Sequence, residues 1–170
     1  MLALLALAGC EDETISLDID AACQPGACQV AADYGELGAL SGTADAFADQ
    51  LVWAGMVDDE CGAHRVHLSI KLINGRGVFA GGIAPGTYAI SGAERDAETC
   101  GACVRLEVSA MCYFASAGTL VLSSTEVDLV GGLTDARFRP ISCATDQPIT
   151  IDCASSIDSM SFSETIGGEG

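Results

Sequence analysis

The stretch RVHLSIKL, residues 65–72, decides the fold class of this chain. Its apolar side chains fall on every second residue, and the residues between them are polar or charged. Successive side chains of a β-strand point to opposite faces of the sheet, so the alternation indicates a strand with one buried face. Asn74-Gly75 follows, a dipeptide that accepts the positive φ of a type I′ turn. The pattern predicts a hairpin that returns through Val78-Phe79-Ala80.

The chain downstream continues in the same manner. Short apolar and alternating runs are separated by Gly- and Pro-containing turn signals such as Pro85-Gly86 and Gly131-Gly132, with no convincing helix between them. The predicted strands lie at residues 87–91, 104–108, 119–130, 133–141 and 159–162. In the long run 119–130 the apolar residues change from even to odd positions, which predicts a bulge near Ser123-Ser124.

Residues 43–57 fit two patterns. Phe47, Leu51 and Ala54 match a helical stripe, whereas Phe47, Leu51, Trp53 and Val57 match one face of a strand that Asp49 and Gly55 interrupt. We favour the strand because the downstream sequence is β-patterned. The whole chain is then predicted to be all-β: a single antiparallel β-sandwich or partly closed barrel, stapled by disulfides, over residues 23–166, with a frayed end at 167–170.

The N-terminus resembles the lipobox of bacterial lipoproteins. An apolar run ends in Leu7-Ala8-Gly9-Cys10 and the sequence then turns acidic at residues 11–13. The resemblance implies a signal peptide at residues 1–9, here expected to be truncated because no basic residue precedes the apolar run. It implies an acylated Cys10, followed to residue 22 by an acidic tether or a first strand. The expected location is extracytoplasmic, on a bacterial membrane, with the outer membrane favoured over the inner.

Charge excludes one class of partner. Twenty-four acidic residues against seven basic ones give a formal charge of −17. Such a field repels phosphate backbones and anionic headgroups, so we expect no nucleic-acid binding. The expected partners are the membrane, through the lipid on Cys10, and an unidentified protein or glycan.

Eight further cysteines predict a disulfide framework, as expected for a small exported domain. Eight cysteines allow 105 pairings, which sequence alone does not choose. Local spacing favours Cys103–Cys112 across a hairpin, Cys143–Cys153 near the end, and Cys23–Cys28 around a tight loop. The disulfide candidates are Cys23, Cys28, Cys61, Cys100, Cys103, Cys112, Cys143 and Cys153.

A second resemblance covers residues 60–165. Gly86-Thr87-Tyr88, the C-G-A-C run at 100–103 and the F-A-S-A-G-T-L run at 114–120 resemble cysteine-rich β-domains of predicted lipoproteins from myxobacteria and their relatives. These landmarks specify a fold, and the family implies no established activity.

Metal and redox chemistry are weakly indicated. Cys100 and Cys103 form a C-x-x-C pair, but residues 104–108 read as a strand rather than the helix that a redox motif needs, so a structural disulfide is favoured. Cys61, His64 and His67 are weak metal candidates, because three-residue spacing on a strand points two rings to opposite faces. Calcium is a further possibility from the acidic runs at 11–13 and 58–60, although the regular loop pattern is absent.

The first hypothesis is therefore a lipid-anchored, non-catalytic envelope domain that is structural or binds a partner. The second is a calcium- or carbohydrate-binding lipoprotein that uses loops at one end of the fold. The third is an enzyme, which is disfavoured because no nucleophile, base or metal set is assembled and no catalytic residue is predicted. Sugar stacking would need an exposed ring from the set Tyr34, Trp53, Tyr88 and Tyr113.

Overall fold

The computed structural model describes residues 36–57, 66–108, 111–150 and 154–168, and gives the backbone alone for residues 36–41 and 168. Within these ranges the chain forms strands and two short 3₁₀ helices, at Gly77–Phe79 and Gly92–Arg95, and no α-helix. The all-β prediction is confirmed. The strands are β1 Glu36–Phe47, β2 Gln50–Val57, β3 Val66–Ile73, β4 Gly86–Ala89, β5 Ala102–Val108, β6 Met111–Thr125, β7 Asp128–Ile141 and β8 Ser155–Gly168.

Seven of these strands close into a barrel. Their order is β6-β5-β3-β2-β1-β8-β7, and β7 pairs back onto β6. β4 is the additional strand. It pairs with residues 119–122 of β6, whereas β5 pairs with residues 111–114 of the same strand. β1 and β8 pair in parallel, while every other neighbouring pair is antiparallel. Of the two predicted architectures the barrel is the one that forms, and its closure pairs strand edges that a sandwich leaves open.

One end of the barrel collects most of the described connections. β3 and β8 end there, β5 begins there, and the β1–β2 and β6–β7 turns lie there too, because antiparallel neighbours reverse direction. The segment at residues 74–101, which contains β4 and both 3₁₀ helices, also lies at this end. We call this end the cap end, and residues 74–101 the cap.

The barrel interior is filled by alternating apolar side chains. On β3 the predicted face, Val66, Leu68, Ile70 and Leu72, is completely buried. Trp53 stacks on Phe162 across the interior, with ring centroids 5.1 Å apart. Burying a large apolar side chain is worth about 1.5–3 kcal/mol, so these layers supply most of the driving force for folding.

The cap packs into the open end of the barrel. Phe79 and Ile90 are buried and belong to the same core cluster as the barrel strands. The ring of Phe79 meets that of Tyr88 edge to face at 4.7 Å. The Tyr88 hydroxyl donates a hydrogen bond to the Ala84 carbonyl oxygen at 2.6 Å. These contacts make the cap a folded part of the core.

A buried carboxylate ties the cap to β5. Glu94 is only 2% exposed. It accepts hydrogen bonds from the backbone N–H groups of Val78 at 2.8 Å and Gly101 at 2.9 Å, and from Ala102 as well. Three backbone donors solvate one charge in place of water, which offsets the cost of burying it.

Two glycines are required at this junction. A Cβ at Gly77, which has φ +45°, would overlap a carboxylate oxygen of Glu94. A Cβ at Gly101 would overlap the Arg76 carbonyl oxygen and lie 2.9 Å from its carbonyl carbon. The cap therefore approaches β5 more closely than any side chain would allow.

The predicted hairpin at Asn74-Gly75 is wrong. Gly75 has the expected positive φ of +77°, but the chain does not return as a strand, and residues 77–79 form a 3₁₀ helix. β3 pairs instead with β2, the strand before it in the chain, and with β5, which follows the cap. Burial of Phe79 in the core outweighs the local preference for a tight turn.

Residues 43–57 are strand, as favoured, but they form two strands joined by a turn at residues 48–49. The predicted long strand at 119–130 also divides: β6 ends at Thr125 and β7 begins at Asp128, so the change of face is a change of strand. A register shift between Leu122 and Ser124 confirms the predicted bulge.

The predicted turn at Gly131-Gly132 is wrong, because both residues lie inside β7. A Cβ at Gly131 would overlap the Val121 carbonyl oxygen and lie 2.7 Å from the Phe162 ring. Glycine here permits a close approach between neighbours and does not mark a turn. Near the C-terminus, β8 extends to Gly168, so residues 167 and 168 are strand and not part of the frayed end predicted at 167–170.

Two disulfides lie on the outer wall of the barrel. They join Cys100 to Cys103, with Cα atoms 5.4 Å apart, and Cys112 to Cys143, with Cα atoms 5.2 Å apart. Disulfide bonding is thus confirmed for these four residues, while Cys10, Cys23, Cys28, Cys61 and Cys153 lie outside the described residues.

The predicted pairs Cys103–Cys112 and Cys143–Cys153 are wrong. The β5–β6 register places Cys112 opposite Glu107. Glu107 is four residues along β5 from Cys103, or about 13 Å, whereas bonded cysteines have Cα atoms about 4.4–6.8 Å apart. Cys112 pairs with Ile141 across β6 and β7, and Cys143 follows two residues later. The sheet register, rather than the spacing along the chain, selects the partners.

Glu94→Gln is expected to lower the free energy of unfolding by about 2 kcal/mol, because an amide group then faces backbone donors in place of a carboxylate oxygen. Urea unfolding of the oxidised protein measures the change. Glu98→Gln, at an exposed position in the same segment, is the matched control and is expected to change stability by less than about 0.5 kcal/mol. Equal stability of the two variants would contradict the role of Glu94.

Gly101→Ala is expected to cost about 2 kcal/mol or more, since the cap must move away from β5 to admit the methyl group. Gly81→Ala serves as its control, because nothing lies within 4 Å of a Cβ at that position. Thermal unfolding followed by circular dichroism compares them. A Gly101→Ala protein as stable as Gly81→Ala would show that the close approach is not required.

Candidate functional site

Two adjoining hollows lie on the outer wall of the barrel, across β1, β2, β3 and β5. Their volumes are about 210 Å³ and 270 Å³, and both are lined by Ala54, Gly55 and His67. The hollows exist because Thr43, Ala54 and Ser69, neighbours in register, all have short side chains that point outward. The wall is therefore recessed between taller groups on either side.

His67 stands beside the recess. It lies on the polar face of β3, as predicted, and is exposed, with Met56 and Glu107 opposite it on the neighbouring strands. The two other weak metal candidates, Cys61 and His64, lie outside the described residues. Among the residues the structure describes, no three His, Cys, Asp or Glu side chains come together as a metal site.

Arg105 forms the opposite side of the recess and is committed to partners within the chain. Its Nη1 lies 3.6 Å from Asp146 Oδ1, and its Nη2 lies 4.0 Å from Glu107 Oε2. Nη2 also donates to the Cys143 carbonyl oxygen at 3.4 Å. Ion pairs this exposed contribute about 0–1 kcal/mol each. Arg105 therefore braces the loop that carries Cys143 and is not a free anion-binding group.

Cys100 and Cys103 are in a structural disulfide, as favoured from the sequence, but they bond to each other and not, as the local spacing favours, through Cys103 to Cys112. Cys100 is fully buried, Cys103 is 8% exposed, and Cys103 lies on a strand. Both belong to a cluster on the outer wall together with Cys112, Phe114 and Ile141. Because both cysteines are buried, an attacking thiol has little access to this bond, as expected of a structural disulfide.

The predicted sugar-stacking rings are mostly unavailable. Trp53 and Tyr113 are completely buried in the barrel, and Tyr88 is partly covered through its contact with Phe79. Tyr34 lies outside the described residues. Neither Trp53 nor Tyr113 can stack on a carbohydrate without unfolding the wall around it.

Arg137 and Arg139 lie on the outer face of β7, and Arg139 Nη2 donates a hydrogen bond to the Arg95 carbonyl oxygen at 2.6 Å. This bond joins β7 to the second 3₁₀ helix of the cap.

Some important residues carried no usable sequence signal. Glu94 stands in an unremarkable Gly-Ala-Glu-Arg run, and only the fold shows that it is buried. Phe47 and Val127 were placed on strand or helix faces by their spacing, yet they lie at turns and are 45% and 71% exposed. Turn residues that are apolar cannot be told from core residues by periodicity.

No family model, curated protein or solved structure matches this chain. The part of the chain that the structure describes contains no helix long and apolar enough to span a bilayer. The function must therefore be inferred from the geometry itself.

Tyr113 provides a test of the packed interior. Its hydroxyl makes no hydrogen bond in the described structure, and burial raises its pKa above the ordinary 10.0. Tyr113→Phe is therefore expected to stabilise the protein by about 1 kcal/mol, because it removes a buried polar group that lacks a partner. Tyr88→Phe, which loses the bond to Ala84, is expected to destabilise it by about 0.5–1.5 kcal/mol.

The same residue predicts a pH dependence. A raised pKa in the folded state means that the fold favours the neutral phenol, so this stability is present below about pH 10 and is lost as the pH rises through the raised value. Chemical unfolding between pH 8 and 11 should show a smaller alkaline loss for Tyr113→Phe than for the parent protein. An identical alkaline loss in both would contradict the assignment.

Proposed function

We propose that this chain is a lipid-anchored, extracytoplasmic β-barrel domain that acts without catalysis, as an interaction module of a bacterial envelope. One observation carries the proposal: in the described residues, the buried carboxylate and the bonded cysteines serve the fold. Glu94 solvates backbone donors, and two pairs of cysteines form disulfides. The function is thereby left to the outer surface.

The disulfides support export. Bonds of this kind persist in oxidising compartments and are rare in the cytosol. By the chain-entropy relation, the Cys112–Cys143 bond, which spans 31 residues, contributes about 4 kcal/mol, and Cys100–Cys103 about 2 kcal/mol. For a domain with a total stability of about 5–15 kcal/mol, these are large contributions. An environment that reduces the bonds would leave the fold marginal.

The anchor is supported by the resemblance of residues 7–10 to a lipobox. More than one acyl chain, at about 0.8 kcal/mol per buried methylene, would hold the domain firmly at a membrane. The barrel begins at Glu36, downstream of the proposed anchor, and its described outer wall carries polar residues such as His67, Ser69 and Lys71 on β3. The lipid on Cys10 is then the attachment, and the barrel faces the aqueous phase.

A catalytic role has less support. Of the groups around the outer hollow, Arg105 is braced by Asp146 and Glu107, and His67 stands exposed on the strand face. In the described structure His67 has no hydrogen-bonded serine or threonine to activate, which nucleophilic catalysis would need. An open surface of this kind does not exclude water from a reacting group.

Mass spectrometry of the mature protein, purified from membranes in detergent, tests the proposal. We expect a diacyl or triacyl modification on Cys10 and no alkylation of Cys100, Cys103, Cys112 or Cys143 by iodoacetamide until a reductant is added. Cys10→Ser is expected to release the protein from the membrane without changing its melting temperature. Free thiols at those four positions together with an unmodified Cys10 would overturn the proposal.

A further inference from the structure

Two turns at the cap end present apolar side chains to solvent. Phe47 is at the end of β1 and is 45% exposed, and Val127, in the β6–β7 turn, is 71% exposed. A polar residue at either turn would satisfy the backbone equally well, so the fold does not account for these apolar side chains. Both are among the most exposed large apolar residues of the described chain.

Each apolar residue lies between carboxylates. Asp45 and Asp49 flank Phe47, while Glu126 and Asp128 flank Val127. We name these six residues (Asp45, Phe47, Asp49, Glu126, Val127 and Asp128) the two-turn surface. The repeated order, acid then apolar then acid, occurs on two turns that are far apart in sequence but lie at the same end of the barrel.

The two turns are held in a fixed relation by the end of β8. The Ile166 N–H donates to the Val127 carbonyl oxygen at 2.9 Å, and Ile166 pairs with Ala44 of β1. The Thr165 hydroxyl donates to Asp128 Oδ1 at 2.8 Å. Because β8 lies between β1 and β7, the turns are two strand spacings apart across the sheet. Val127 is level with Ala44, and Phe47 is three residues further along β1, so the two apolar residues are roughly 14 Å apart. A partner would therefore meet a preformed surface.

Basic residues are sparse on the strands that carry this surface, and Lys71 of β3 lies two strands from Asp45 in register. β1, β2, β6 and β8 contain no lysine or arginine. The arginines of β7, Arg137 and Arg139, lie towards its opposite end, and Arg95 of the cap lies beside Arg139, which donates a hydrogen bond to its carbonyl oxygen. In the described structure, the carboxylates of Asp45, Asp49 and Glu126 are exposed, and none of them forms an ion pair with a basic side chain.

We propose that the two-turn surface docks a cationic, amphipathic segment of a partner protein. Phe47 and Val127 contact its apolar side chains, and the surrounding carboxylates pair with its lysines or arginines. Charge complementarity selects this occupant: a net charge of −17 repels both nucleic acid and anionic lipid, as well as a second copy of the chain. The proposal rests on the interaction role proposed above and names its partner class.

The outer hollow around His67 is a weaker candidate for this role. Arg105 beside it is already paired, and its floor of small residues offers no large apolar contact. Binding energy at protein interfaces is concentrated in a few large side chains, which favours the surface that carries Phe47.

A designed peptide tests the proposal on the full-length protein in detergent. A helical Lys/Leu peptide with leucines at i, i+7 and i+11 places them on one face at about 10.5 Å and 16.5 Å from the first, which brackets the spacing of the two apolar residues. A Lys/Gln peptide of equal charge measures the electrostatic contribution to binding alone. We expect fluorescence anisotropy to show that the Lys/Leu peptide binds about tenfold more tightly, or better, because the Lys/Gln peptide lacks the apolar anchors.

Variants assign the site. Phe47→Ser combined with Val127→Ser should abolish the preference for the Lys/Leu peptide, and Asp49→Asn combined with Glu126→Gln should weaken both peptides and flatten the salt dependence. The matched controls are Val121→Ser, an exposed apolar residue on the barrel wall, and Asp135→Asn with Asp158→Asn, two exposed acids away from the turns. Unchanged melting temperatures, followed by Trp53 fluorescence, confirm that all variants fold.

Three results would overturn the proposal. The first is equal binding of the two peptides to the parent protein, and the second is a loss of binding in the control variants equal to that in the two-turn variants. The third is binding of the protein to phosphatidylglycerol vesicles in preference to the Lys/Leu peptide. Any of these results would contradict the proposed partner class but would not bear on the lipid anchor or the disulfides. An unmodified Cys10 together with free thiols would contradict the proposed envelope location but would not bear on the peptide measurement.

Discussion

The parallel pairing of β1 with β8 closes the sheet, and the other elements of the described structure depend on that closure. Once closed, the barrel needs its interior filled, which Trp53, Phe162 and the alternating residues of β3 and β5 accomplish. Register shifts in β6 and β7 bend these two long strands around the core, as bulges do. The open mouth at one end is then filled by the cap.

In both the cap and the outer wall, hydrogen bonds from polar groups and disulfides join segments that are far apart in the sequence. Glu94 joins the cap to β5 through backbone donors, and Arg139 joins β7 to the cap through a carbonyl oxygen. Cys112–Cys143 ties the loop after β7 back to β6, with Arg105 across it. These ties suit a domain that folds in an oxidising compartment and has few aromatic residues to bury.

The proposed interaction role depends on the outer surface of the barrel. The excess of acid is spread unevenly, because the described basic residues belong to β3, β5, β7 and the cap. The β1, β2 and β8 side of the barrel is left acidic, with Phe47 and Val127 exposed at its turns. The proposed interaction role rests on this acidic scaffold and on the exposed side chains of Phe47 and Val127.

Alternation is a local property of the backbone, so the amino-acid sequence alone predicts the all-β class and the inward face of β3. Composition alone predicts the acidity and the presence of disulfides. The sequence pattern misplaced Asn74-Gly75, Gly131 and Val127, since each depends on which distant strand lies alongside. Sheet register decided the disulfide pairs, the burial of Glu94 and the meeting of the two turns. Those contacts join residues far apart in the chain, and only closure of the barrel brings them together.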